Sequence, residues 1–260
     1  MIKRFFSQAW LSFKGQQAAL SFDEFIAFET LYPLLTLIFY CILAGYSFNR
    51  SDLTHWVVGN SFLLCINTCI FNLGGTFTGE RYYGRLRSII VSPVHKVSLV
   101  LQKGFYPCIV AIFSVLIGFF IGSLIFRVDF SNVNFGLFLL VTIVAMFAAT
   151  GFGLLLAVFG LITDEMHFLL NLASNVLIIF CGANFPISQL PLAARVFSKL
   201  LPLTRSIEAA NMLFSKFDSG RLALLLIGEV GLGIVYCAVG TIIIKMVEKI
   251  AIKKAALEVF

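Results

Sequence analysis

The sequence predicts an all-α integral membrane protein with six transmembrane helices, and three observations carry that prediction. Of its 260 residues, 60% are hydrophobic and 12% charged, whereas a soluble globular domain carries about 25% charged residues. Apolar runs approach or exceed the ~20 residues that cross a hydrocarbon core of about 30 Å, and they recur along the chain. Lys and Arg gather at the ends of those runs and in the segments between them, where they set orientation and touch anionic lipid. The net charge of +6 therefore implies no nucleic-acid partner.

The N-terminal segment, residues 1–20, reads as an interfacial helix. Ile2, Phe5, Phe6, Ala9, Trp10 and Phe13 recur at helical spacing, opposite Lys3, Arg4, Ser7, Gln8, Ser12 and Lys14. Gly15 ends the pattern. It has no apolar core followed by small residues, so no cleavable signal is expected. Ser21, with Glu24 three residues on, makes a capping-box start for the helix that becomes the first span. Pro33 is expected to kink that helix.

The spans are placed at about Leu31 to Phe48, Trp56 to Phe77, Phe105 to Phe126, Phe135 to Ile162, Phe168 to Cys181 and Leu222 to Ile244. The fifth is short, so it either continues through Phe185 or stops within the membrane. Of the 19 Lys and Arg, twelve fall in the N-terminal segment, between spans two and three, and in the tail; seven fall on the opposite side. Both termini are thus expected in the cytoplasm.

Between spans two and three, Gly79 to Pro93 reads as one helix ended by the proline. Tyr82, Leu86 and Ile89/Ile90 share one face, and Arg81 and Arg85 stack one turn apart on another. Between spans five and six, residues 182–221 carry five of the positive charges on the less positive side. Pro186, Pro191 and Pro202 interrupt this stretch, and Leu192, Val196 and Leu200/Leu201 alternate with Arg195 and Lys199. It reads as two short helices dipping into the outer leaflet, with Pro191 at a first helical position and Thr204 capping the second helix. Nothing marks a linker or a repeat, so residues 1–260 form one membrane domain.

Polar residues inside spans are few. Glu229 lies about two turns into the last span, where insertion scales charge about 2.5 to 3.5 kcal/mol for a central ionised Asp, Lys or Arg; it either lines an aqueous path or is a water-reached carboxyl without a role. Asn67, Asn72, Asn171 and Asn175 either line a translocation route or bond across helices. Gly118 and Gly122 read as a close-packing contact. Cys41, Cys65, Cys69, Cys108, Cys181 and Cys237 read as reduced, buried small hydrophobes. The sequence has no nucleotide-binding phosphate loop, no nucleophile elbow, no zinc-protease helix and no paired histidines at metal spacing. No catalytic residue and no metal site are assigned.

The run Glu80-Arg81-x-x-Gly84-x-Leu86, ending at Ser92-Pro93, resembles the coupling segment of type-2 ABC exporter permeases. Gly182-x-x-Phe185-Pro186-Ile187-Ser188-x-Leu190-Pro191, followed by Leu201-Pro202-Leu203-Thr204, resembles that family's outer re-entrant segment. With the interfacial helix and six spans, the resemblance covers nearly the whole chain. Arg85 departs from it, standing where the family usually has Thr, and the Asp164-Glu165 loop is sparse in acidic residues.

The resemblance implies a cell-membrane permease without an ATPase of its own. Its partner would be a cytoplasmic ABC ATPase in two copies, which holds the ATP and Mg, and a second permease chain, identical or related. Residues 79–93 become a coupling helix, with Glu80, Arg81, Tyr82, Gly84, Arg85 and Leu86 as contacts. Phe185, Pro186, Leu190, Pro191 and Pro202 become an outer gate whose surplus positive charge would steer an anionic or headgroup-bearing substrate. The expected cargo is an amphiphilic drug, antimicrobial peptide or lipid-linked molecule; a polysaccharide or teichoic-type polymer is the alternative. Two other classes compete. A lipid-directed membrane enzyme would need a surface cluster of acidic or His side chains, and a non-transporting scaffold or immunity-type protein would bind no ATPase.

Overall fold

The computed structural model describes residues 2–16, 21, 23–24, 27–48, 52–84, 96–129, 133–161, 163, 165–215 and 217–254. All regular structure among them is helical. α1 spans Ile2–Gln16. A π-helical segment, Ala27–Leu31, leads into α2, Tyr32–Phe48. The second apolar helix is composite: α3 is Thr54–Leu63, a π-helical segment is Ile66–Asn72 and α4 is Thr76–Tyr82. α5 is Lys96–Phe126, α6 Phe135–Phe159 and α7 Met166–Phe180. After a 3₁₀ turn at Ile187–Gln189 come α8, Leu192–Ser198, α9, Thr204–Phe214, and α10, Ser219–Lys254.

Among the described residues, five helical stretches are long and apolar enough to cross a membrane: Ala27–Phe48, Thr54–Tyr82, Ser98–Phe126, Phe135–Phe159 and Ser219–Val247. α7 has the composition but only 15 residues, a rise of about 22 Å at 1.5 Å per residue. It stops rather than running on through Phe185. Gly182 takes φ +87, and the residues beyond it are tied to α3.

The starts of these helices follow their sequences. Ser21 and Glu24 form the expected capping box, with Ser21 N donating to Glu24 Oε2 at 2.8 Å and Glu24 N to Ser21 Oγ at 3.4 Å. The Asn134 carboxamide oxygen accepts from Gly136 N and Leu137 N to start α6, and Asp218 accepts from Gly220 N and Arg221 N to start α10. Pro33 sits in the first turn of α2, just after the π-helical segment; the N–H it lacks is one reason the hydrogen-bond ladder is irregular there.

The composite second span is the bundle's centre, packed by α2, α5, α6, α7 and α9. α6 and α10 lie along each other. At one end of the bundle, Phe62, Phe119, Phe138 and Phe214 interlock, with Phe119 stacked on Phe138 at 4.2 Å between ring centres. At the other end, Leu73, Phe77, Val100, Leu154 and Ile244 make a smaller core. Gly118 and Gly122 are close-packing positions within the chain: a Cβ on Gly118 would fall 1.8 Å from Leu64 Cδ1, and one on Gly122 3.1 Å from Leu37 and Val57. Large apolar side chains such as Leu35, Phe39, Phe120, Leu124, Leu224 and Ile227 point outward, the arrangement expected where lipid is the solvent.

Candidate functional site: a coupling corner, a polar cleft and a capped short helix

α1 packs on the start of α5. Its aromatic face meets Phe105 and Tyr106, with Trp10 at 5.2 Å from Tyr106 and Phe13 stacked on the same ring at 5.9 Å. Ala9 is fully buried, and Gln102 Nε2 donates to Gln8 Oε1 at 3.0 Å. The apolar stripe legible in the sequence thus serves protein packing as well as any membrane surface.

At the same end, Lys103 of α5 donates to Glu80 of α4 at 3.1 Å, with side chains 6% and 14% exposed. The Lys103 ammonium also lies 5.3 Å from the centre of the Phe77 ring. Glu80 therefore faces inward and clamps the end of one span to the start of the next. The continuous helix expected from Gly79 to Pro93 is broken: helical geometry ends at Tyr82, and Gly84 adopts φ +68 with its N–H on Arg81 O at 2.9 Å. The cause is glycine's access to the left-handed region, which terminates helices. Tyr82 and Tyr83 project from this corner, 85% and 62% exposed, in edge-to-face contact at 5.4 Å. Tyr83 was not singled out by sequence reasoning; its signal was an aromatic pair just beyond the last apolar turn. Arg81 is partly buried at the corner. Arg85 and Leu86 lie outside the described residues.

Of the intramembrane polar residues expected to line a path, the structure brings Asn67, Asn171 and Asn175 to one cleft of about 310 Å³ between α2, the second span and α7. Tyr32, Tyr40 and Asn60 line it as well. Asn67 Nδ2 donates across to Phe28 O at 2.5 Å, whereas Asn171 and Asn175 donate to carbonyls of their own helix, at 2.7 and 2.9 Å, and remain exposed. Asn72 stands apart, donating to Glu29. Thr68 Oγ1 donates to the same carboxylate, and Ser114 Oγ to Glu29 O at 3.5 Å. This buried node joins the two π-helical segments, and Glu29 went unnoticed in the sequence because it sits just before the apolar run of the first span.

Glu229 lies away from the cleft, fully buried beneath the start of α9, where its Oε1 accepts from Leu203 N at 2.6 Å. Thr204 does not cap α9. It is the first helical residue, Leu203 precedes it at φ 71, and its buried Oγ1 has no hydrogen-bond partner among the described residues. Glu229 takes that part from a different helix, placing a carboxylate where the helix dipole favours negative charge. Arg205 lies over Gly228, with its Cδ 3.0 Å from where a Cβ would stand.

The remaining gate residues surround this helix pair. Pro191 immediately precedes α8 rather than occupying its first position, Pro186 precedes the 3₁₀ turn, and Pro202 is buried at the turn into α9. Leu190 is half-buried and Phe185 exposed. The segment is stapled to α3: Trp56 Nε1 donates to Asn184 O at 3.1 Å, and Asn60 Nδ2 to Asn184 Oδ1 at 3.1 Å. Tyr236 of α10 donates its hydroxyl to Leu200 O. Leu192, Val196, Phe197 and Leu200 turn outward.

The geometry thus comprises a stiff corner bearing exposed aromatics, an asparagine-lined cleft open on one side of the bundle, and short helices held at the opposite end by the last span. Comparison with curated proteins returned no match. The family model of ABC-2 type transporters matches residues 7–214, which is most of the chain. On that match the chain belongs to the ABC-2 type transporter family, as a multi-pass membrane permease subunit of an ABC transporter.

Proposed function

We propose that this chain is half of an outward-directed pump of the cell membrane, with both termini cytoplasmic and the short α7 serving as the fifth of six spans. Two ATPase subunits, which hold ATP and Mg, drive it from the cytoplasm. The observation that carries this reading is the corner at Glu80–Tyr83. It is rigidly joined to the second span directly, to α5 through Lys103, and through α5 to α1. A force applied to the exposed Tyr82 and Tyr83 moves three helices as one body, because packed elements shift as units rather than deform.

A second permease chain, identical or related, covers the face carrying the cleft. Asn171 and Asn175 are exposed on a mostly apolar helix, and polar side chains at membrane depth are costly against lipid but not against a partner or a hydrated path. Substrate entering from the cytoplasm or inner leaflet then leaves between the two chains, past α8 and α9. Tyr32 and Tyr40 beside the asparagines suit an amphiphile, with a drug, peptide or lipid-linked molecule as the cargo class.

Purification from the native host in mild detergent, with mass spectrometry of co-purifying proteins, tests this. A stoichiometric soluble ATPase whose hydrolysis responds to the permease is the expected result. A clean permease without an ATPase would overturn the reading in favour of a non-transporting protein.

A further inference from the structure

At the end of the bundle where α3 and α10 begin and α7 stops, a cavity of about 580 Å³ opens between the 3₁₀ turn, α8 and α9. Among the described residues, Arg195, Lys199 and Arg221 line it, with Glu208 the one carboxylate. Arg221 is held by Glu208 across the cavity. Arg195 is fixed by donating from one guanidinium nitrogen to Ser188 O at 2.8 Å and Leu190 O at 3.4 Å, which leaves its other N–H groups for a ligand. His55 also lines the cavity, and its buried Nε2 has no hydrogen-bond partner among the described residues. The wall therefore offers a surplus of positive charge and an unmet polar atom.

The surroundings of the cavity are greasy. Leu192, Val196 and Leu200 of α8 and its end, and Phe185 before it, are exposed. Basic pockets beside outward-facing apolar side chains favour molecules with an anionic head and an alkyl tail; Arg binds phosphate oxygens in a bidentate fork and Lys binds them as a point charge.

We propose that this cavity binds the phosphate headgroup of an amphiphile, with the alkyl chain running along α8 into the bilayer. The Arg195 guanidinium and the Lys199 ammonium contact the phosphate oxygens, His55 Nε2 contacts a further oxygen or the phosphate hydroxyl, and the Glu208–Arg221 pair closes the remaining side. Binding itself does not depend on the pump; only the identification of the ligand as cargo rests on the exporter reading.

The test uses the full-length permease without any ATPase, in phosphatidylcholine nanodiscs, titrated with dodecyl phosphate and, as control, dodecyltrimethylammonium. Dodecyl phosphate is expected to bind and the ammonium compound not. Lys199→Gln is expected to weaken phosphate binding about fivefold and to flatten its salt dependence, about the effect of one cation at a membrane surface. His55→Gln, which keeps a polar group at the position, is expected to weaken it less. Equal binding of both headgroups, or unchanged affinity in a correctly folded Lys199→Gln protein, would overturn the proposal. Two supporting outcomes separate the sources: an anionic phospholipid retained through purification by the wild type and lost from the variant marks a resident lipid, and stimulation of the complex's ATPase by dodecyl phosphate marks a transported molecule.

Discussion

Glu229, in the N-terminal third of the long apolar helix α10, accepts the backbone N–H of Leu203 at 2.6 Å and so caps a short helix packed against its own. Its replacement by Ala leaves a buried backbone donor unmet, a loss of about 1–3 kcal/mol. Glu229→Gln keeps an acceptor but removes the charge facing the helix dipole, and is expected to lose less, about 0.5–1 kcal/mol. Thermal unfolding in detergent ranks the two, and hydrogen exchange at Leu203 to Ile207 is expected to rise in the Ala variant before the rest of the bundle opens.

The Glu80–Lys103 pair makes a second prediction. Both side chains are largely buried, so Lys103→Ala removes a buried, charge-assisted contact of Glu80 and is expected to cost about 1–3 kcal/mol. The exchanged pair Glu80→Lys with Lys103→Glu is expected to recover part of that loss. A double-mutant cycle on unfolding midpoints reads the coupling; additive effects of the two single variants would mean that the pair does not hold the corner.

Close backbone approach fixes α6 against the π-helical part of the second span. A Cβ on Gly153 would lie 1.9 Å from Cys69 O, a backbone atom with little room to move. Gly153→Ala is expected to destabilise by about 1–3 kcal/mol through overpacking, seen as a lower monodisperse yield on size exclusion. Gly79→Ala, where no neighbour stands within 4 Å, is the control and is expected to be near neutral.

The capping box before the first span gives a pH dependence. The Ser21 N–H and hydroxyl hold the exposed Glu24 carboxyl below its ordinary value of 4.5. Because the folded value is depressed, the contribution of this turn is fully present above about 4.5 and is lost as pH falls through the lower folded value. Amide protection at Glu24 is expected to be flat from pH 8 to pH 5 and to drop in stronger acid, a drop that Glu24→Gln removes.

Much of this architecture was legible in the chain. Period 3.6 in α1, the box at Ser21 and Glu24, and the apolar runs placed the helices, since lipid leaves the backbone few other choices. The cleft was legible in part, because Asn67, Asn171 and Asn175 stand out against apolar neighbours. Its other features depend on contacts between distant segments. Glu80 meets Lys103 from 23 residues away, Glu29 meets Thr68 and Asn72 in another helix, and Glu229 accepts the N–H of Leu203, beside Thr204, from 26 residues away. No local pattern encodes these pairings. The end of the helix at Tyr82 was signalled by Gly84, but the charge periodicity through Arg85 suggested a longer helix.

The central claim is that an ATPase grips the corner at Tyr82 and Tyr83 and drives the bundle through it. The most direct measurement is the amount of ATPase that co-purifies with wild-type permease and with the Tyr82→Ala/Tyr83→Ala variant, at matched permease yield and thermal stability. Loss of two exposed aromatic contacts is expected to lower retention about tenfold or more, the effect of at least 1.4 kcal/mol at an interface. Full retention of an active ATPase by the variant would contradict the account.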